Sequence, residues 1–356
     1  MGEAARRDRG LPGDGRQVMD VPSGDPGGPL VVAVGDDSNG QALDWAAAEA
    51  SARGCRLHVV HAERLRCSID PSGLVPVVDV SSYRLTAEHI LGVAVGRACA
   101  VAPDIEISQE AMFGPTVPLL VAQGRGAQLL VLGSRNARVA TGLRGLLAPS
   151  VCGGVARRAP CPVAIVRSLR NDPSAGSPPR VVVGVDGTGA CAAALGVAFG
   201  AAAQRGLAVT VVHAWSPDVA ADHEAVRGPY RAAEERASRT ANRALAPWRS
   251  RFTDVPVDTR LTRADPAAAL IRESEGAALV VVGSRGIGAA RAALFGSVSR
   301  SVAQQARCPV IVVRTATPRT ARTRRDRPTE PIRRTASRMT DLAGMEEVRR
   351  RRTPWE

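Results

Sequence analysis

The sequence predicts an α/β protein whose parallel sheet is built twice. Three observations predict it. The apolar stretches are short, rich in Val and continuous, as in LVVAV at 30–34 and LVVVG at 279–283, which marks strands buried on both faces. Ala-rich segments of helical length separate them, giving an alternating β-α-β-α order. Four landmarks also recur in one order. LVVAVGDDS (30–38) resembles RVVVGVDGT (180–188), and LHVVHA (57–62) resembles VTVVHAW (209–215). LLVLGSR (129–135) resembles LVVVGSR (279–285), and CPVAIVR (161–167) resembles CPVIVVR (308–314). The offsets are 150 from Asp36 to Asp186 (186 − 36), 152 from His61 to His213 (213 − 61), 150 from Gly133 to Gly283 (283 − 133) and 147 from Cys161 to Cys308 (308 − 161). Order and offset together indicate a duplicated unit.

In the second unit the pattern predicts strands near 180–185, 208–214, 255–261, 278–282 and 309–313, with helices between them. The Ala-rich runs at 190–205 and 223–247 read as two of these helices. The second run carries Gly228-Pro229-Tyr230, so the helix is expected to begin only after Pro229. The segment RNDPSAGSPPR, 170–180, has the Pro, Gly and Ser content of a linker. The domain reading is therefore 30–168 and 180–314 joined by 169–179, flanked by disordered segments at 1–29 and 315–356.

Composition narrows the function classes. The chain has 356 residues, 45% of them hydrophobic, enough for two ordinary domains with real cores. Aromatics are only 3%, so those cores must be aliphatic. No apolar run approaches the roughly 18 residues that a membrane-spanning helix needs, and the Gly- and Pro-rich start lacks the pattern of a secretory signal. Seven cysteines without a CxxC pair suit free thiols in a reducing cytoplasm. Cys161 and Cys308, each before Pro-Val at a strand start, read as small buried residues, and Cys67 as the exposed thiol. The net charge is +13, and all 47 basic residues are Arg, because the sequence has no Lys. A Walker A loop, which needs a Lys at the β and γ phosphates, is thereby excluded. Residues 315–356 hold 12 Arg against 6 acids, a net +6 (12 − 6). That tail either binds a polyanion such as nucleic acid or serves as a solubilising extension.

The chemistry-bearing motif follows the fourth strand of the second unit. Gly283-Ser284-Arg285-Gly286 is followed by nine residues and then Gly296-Ser297, which opens an apolar helix. Glycines let main-chain N–H groups approach an anion closely, and a helix N-terminus adds unpaired donors and a favourable dipole. Ser297 can cap that helix and ligate a phosphate. His213 reads as a strand-end packing residue, since no acid or nucleophile recurs with it.

G-x-x-G, nine residues, then G-S is similar to the ATP-binding pattern of the universal stress protein family, and the chain resembles a tandem member over about 30–167 and 180–314. The resemblance implies two Rossmann-like, doubly wound five-stranded sheets in the order 3-2-1-4-5, with ligands outside the carboxyl ends of strands one and four. It implies ATP, with Mg, as the bound cofactor. Asp186 and the backbone of Ala214 would hold the adenosine end, and Gly283, Gly286, Gly296, Ser297 and Val298 would wrap the ribose and phosphates. Asp186 could alternatively close an Asx turn at its strand end, and Arg285 either adds charge or stays a solvated loop arginine.

In the first unit Asp36, Ala62, Gly133 and Ser150 correspond, but Asn136 and Pro149 stand at the second and third glycines, and the interval between them is 12 residues. A Cβ and a proline ring there crowd the anion, so this site is expected to be weak or empty. The final strand of each unit should be a sheet edge, which invites edge-to-edge pairing of the halves and of two chains as a homodimer. The resulting expectation is a cytoplasmic, nucleotide-dependent regulator or sensor in stress response or growth control. A slow ATP hydrolase, a nucleotidyl transferase and a polyanion-binding module are the alternatives. Without Lys, paired carboxylates or an evident base near the loop, any turnover would be slow.

Overall fold

The computed structural model describes residues 27–35, 40–64, 68–69, 76–77, 80–134, 151–167, 178–188, 190–215, 227–284 and 296–314. The expectations for both termini, the linker core, Cys67, Asp36, Asn136, Pro149, Ser150, Arg285 and Gly286 lie outside these residues.

The first half runs β1 (Leu30–Val34), α1 (Gly40–Arg53), β2 (Leu57–Glu63), the short strands β3 (Ser68–Ile69) and β4 (Pro76–Val77), α2 (Val80–Val101), β5 (Ile107–Phe113), α3 (Thr116–Gln123), β6 (Leu129–Ser134), α4 (Val151–Ala156) and β7 (Val163–Arg167). The second half runs β8 (Arg180–Gly184), α5 (Ala190–Arg205), β9 (Ala208–Ala214), α6 (Arg227–Arg251), β10 (Val257–Thr262), α7 (Pro266–Glu273), β11 (Leu279–Gly283), α8 (Ser297–Gln305) and β12 (Val310–Val313). Each half is doubly wound. The strand order is β5-β2-β1-β6-β7 in the first and β10-β9-β8-β11-β12 in the second, the order 3-2-1-4-5 in both.

The central strands are continuous apolar runs because helices cover both faces. Side chains of α1, α2, α5 and α6 pack with Leu30, Val32, Val181 and Val183 on one face. Side chains of α3, α4, α7 and α8 pack with Val31, Leu130, Val182 and Val280 on the other. With few aromatics, the exception is a cluster in the second half: the Phe199 ring lies 6.2 Å from Trp248 and 5.6 Å from Phe252.

The helix expected to start after Pro229 starts at Arg227 instead. Proline lacks an N–H, but the first four amides of a helix have no carbonyl to bond, so Pro229 in the first turn loses nothing. The α7 start is more conventional: Asp265 caps it by accepting from the Ala268 N–H at 2.9 Å, and Pro266 follows at the first helical position.

The two terminal strands are not free edges. β7 and β12 pair antiparallel, joining the halves into one ten-stranded sheet. The register is informative, because Val310 faces Ile165, Ile311 faces Ala164 and Val312 faces Val163. At the repeat offset of 147, Ala164 is the counterpart of Ile311 (311 − 164), Val163 of Val310 (310 − 163) and Ile165 of Val312 (312 − 165). The halves therefore meet about a local twofold axis centred on that pair. Outer edges remain at β5 and β10, and both carry exposed polar residues.

Cys161 and Cys308 occupy equivalent places at the starts of β7 and β12, 2% and 4% exposed. Burial pushes their thiols up to about 11 and about 12. Burial likewise raises Cys152 to about 11, whereas Cys99 on α2 is the exposed thiol among the described residues. Because the folded state holds these protons more tightly than the unfolded chain does, the stabilisation is complete below the ordinary thiol range near 9 and is lost as pH rises through it. Urea midpoints should therefore fall between pH 8 and pH 10.5. Alkylation of the native protein at pH 8, read by peptide mass mapping, should label Cys99 and spare Cys152, Cys161 and Cys308.

Candidate functional site

In the second half, β8 and β11 are neighbours, while the chain continues from β8 to β9 on one side and from β11 to β12 on the other. The carboxyl ends of β8 and β11 thus flank the point where strand order reverses, where open α/β sheets leave a crevice. The structure brings Asp186, Gly283, Gly296, Ser297 and Val298 to this end, together with Ala214. Ala214 is the last residue of β9, paired with Thr262 of β10.

The loop after β11 closes on itself. The Ser284 N–H donates to the Val313 carbonyl at 2.8 Å, and the Gly296 N–H donates to the Ser284 carbonyl at 3.0 Å. The chain therefore leaves β11 and returns to the same point before α8 begins. Gly296 is the cap residue of α8, with φ −65 and ψ 152, and among the described residues no side chain caps the helix. Ser297, expected at the cap, is the first helical residue and is exposed. Instead the Ser299 hydroxyl donates to the Gly296 carbonyl at 3.1 Å. By helix geometry the amides of Ser297, Val298 and Ser299 have no carbonyl one turn earlier, so they form the positive end of the α8 dipole.

The Gly296 backbone lies where any residue is comfortable. Among the described residues, a Cβ there would meet the Ser284 carbonyl oxygen at 3.5 Å and the Ser299 Oγ at 3.6 Å. The glycine is therefore not required by backbone strain. Gly187 is the opposite case. Its φ is +78, and a Cβ would overlap the Cγ2 of Thr240 on α6.

Asp186 precedes that glycine and closes an Asx turn. Its Oδ1 accepts from the Thr188 N–H at 2.9 Å and the Thr188 Oγ1 at 2.7 Å. Thr188 and Cys191 were not singled out from sequence, although D-x-T is itself an Asx-turn signal. The Cys191 thiol donates to the Thr188 carbonyl at 2.9 Å, and burial first, then the Asp186 charge, holds it protonated above its usual range. His213 braces the same strand end: its Nδ1 donates to the Val185 carbonyl at 2.8 Å. A carbonyl only accepts, so the proton sits on Nδ1.

The first half repeats the brace. His61 Nδ1 donates to the Val34 carbonyl at 3.0 Å, the counterpart of the His213 contact. Ala62 lies within β2, paired with Met112, and Gly133 lies within β6, paired with Val166. Cys152 replaces Ser299 at the repeat offset of 147 (299 − 152). Its thiol reaches the Gly133 carbonyl at 3.5 Å. Pro149 stands where Gly296 stands, and proline has no N–H to make the loop-closing bond that Gly296 makes.

The universal stress protein family model matches residues 28–167 and 179–314, and the chain belongs to that family. It is similar to universal stress protein Rv2005c of Mycobacterium tuberculosis, 36% identical over 294 residues that cover 80% of this chain and 96% of that protein. A solved universal stress protein from Archaeoglobus fulgidus matches the fold with a TM-score of 0.56 and 19% identity, covering 80% of this chain and 98% of its own. A universal stress protein solved in complex with cAMP is 25% identical, covers 40% of this chain and all (100%) of its own, and has a TM-score of 0.28. Among the described residues no helix is long and apolar enough to cross a membrane, and no group of three His, Cys, Asp or Glu is placed to hold a metal.

Gly187→Ala should destabilise the protein by about 2 to 4 kcal/mol, combining left-handed backbone strain with overpacking. Adding Thr240→Ser, which deletes the clashing methyl, should recover part of that loss in urea unfolding. The backbone component should remain.

Proposed function

We propose that this chain is an ATP-binding regulator that takes one nucleotide, in the second half, and acts through conformation and partners. The observation that carries the reading is the closed loop between β11 and α8. It sets the α8 N-terminal amides beside the carboxyl end of β11, with a glycine as their cap residue. Main-chain donors at a helix start suit phosphate, and Lys is not needed. In this reading Gly283, Gly286, Gly296, Ser297 and Val298 hold the ribose and phosphates, with Arg285 adding charge. Asp186 and the Ala214 backbone receive the adenosine end, and Mg neutralises the phosphates. Asp186 keeps its Asx turn while doing so, since the turn fixes the carboxylate at the strand end.

The first half, with Asp36, Ala62, Gly133 and Ser150, serves as the partner domain with a weak or empty site. Residues 30–168 and 180–314 then act as two domains about the 169–179 linker. Homodimer formation completes the proposal. Because β7 and β12 are already paired within the chain, edge pairing between two chains would use β5 or β10.

Thermal unfolding with and without Mg-ATP tests the reading. At about 100 times the dissociation constant, ATP should stabilise the wild type by roughly 2.7 kcal/mol, a rise of several degrees. Gly296→Ala should keep the ligand-free melt, because its Cβ meets only ordinary contacts, and should lose most of the ATP shift. A wild-type melt unmoved by millimolar Mg-ATP would contradict the proposal.

A further inference from the structure

One carboxylate bridges the two halves on the α1 and α5 side of the sheet. Glu49 of α1 is 3% exposed and accepts from two arginines. Arg53 Nε on the same helix donates at 2.6 Å, and Arg205 Nη2 on α5 donates from the other half. The pair within α1 is an ordinary contact four residues apart. The pair with Arg205 spans 156 residues and crosses the seam.

The duplication makes this arrangement informative. Gly54 and Gly206 end α1 and α5 in the same left-handed conformation, φ 60 and 61, at an offset of 152 (206 − 54). The same offset relates Arg53 to Arg205 (205 − 53) and Glu49 to Ala201 (201 − 49). Two equivalent arginines thus converge on a single acid whose own counterpart is an alanine. Arg205 also donates through Nη1 to the Ala201 carbonyl at 2.9 Å, where an acid would stand had the repeat kept it. Both guanidinium groups are largely removed from water, 15% and 21% exposed, and burial lowers the affinity of each for its proton.

We propose that Glu49 is the pairing determinant of the internal interface: one carboxylate neutralises two symmetry-related arginines, so a first half accepts a second half. Two second-half surfaces brought together about the same axis would bury two copies of Arg205 and no acid. That arrangement is rejected, since a buried charge without a partner is strongly destabilising. The interface therefore rejects the pairing of two second-half surfaces.

Thermal unfolding of full-length variants tests this. Glu49→Gln strands both arginines and should lower the melting temperature by roughly 5 to 10 °C. Arg205→Met should also lower it, by less, because Arg53 still pairs with Glu49. The decisive variant combines Glu49→Ala with Ala201→Glu, which moves the acid across the axis to a site four residues before Arg205 and opposite Arg53. It should recover at least half of the loss. If Glu49 served only its own helix, Arg205→Met would leave the melt unchanged and the moved acid would restore nothing, and either result overturns the proposal. Should Glu49→Gln fail to fold, the triple variant Glu49→Leu, Arg53→Met, Arg205→Met, with no charge left to strand, should fold near the wild-type melting temperature. Failure of that variant too would make the position one of packing and overturn the assignment.

Discussion

Antiparallel pairing of β7 with β12 is the constraint on which the rest of the architecture depends. It joins two parallel sheets of opposite direction into one, and it does so in register about the equivalent residues Ala164 and Ile311. Once that register is set, each half must present its α1-type helix to the other across the seam. Each half also keeps its own strand-order reversal, at β1/β6 and at β8/β11. A one-residue slip would turn Val163, Ile165, Val310 and Val312 to the wrong face. The buried Glu49 contact lies on the same seam and depends on the same register.

On this nearly symmetric frame the chemistry is asymmetric. The histidine braces are retained in both halves, since His61 and His213 each donate to a carbonyl just past, or at the end of, the neighbouring strand. The loops diverge. Gly296 closes the second loop with its N–H, whereas its sequence counterpart is Pro149, which has no N–H to donate. Ser299 is matched by Cys152 and Glu49 by Ala201. Duplication thus supplied the scaffold, and substitutions at a few loop and seam positions made the two halves unlike.

Much of this was legible in the residues because both signals were strong. Continuous Val-rich runs can only be strands covered on two faces, and four landmarks at nearly one offset identify a repeat without ambiguity. The glycine spacing likewise placed Gly283, Gly296 and Ser297 around the connection from β11 to α8. What sequence could not deliver were interactions set by tertiary geometry. The role of Gly296 as cap in place of Ser297, and the use of its amide to close the loop, depend on where β11 and β12 end. The start of α6 at Arg227 shows a local rule overridden, because proline is costly only where an N–H has a partner to lose. The Glu49 bridge spans 156 residues and had no local signature.

Calorimetric titration of the intact chain with Mg-ATP tests the central claim most directly, because it counts sites. Gly296 at the second-half loop, and Pro149 at its counterpart position in the sequence, predict a stoichiometry of one nucleotide per chain. No heat of binding at millimolar ATP, or two equivalent sites per chain, would contradict the account.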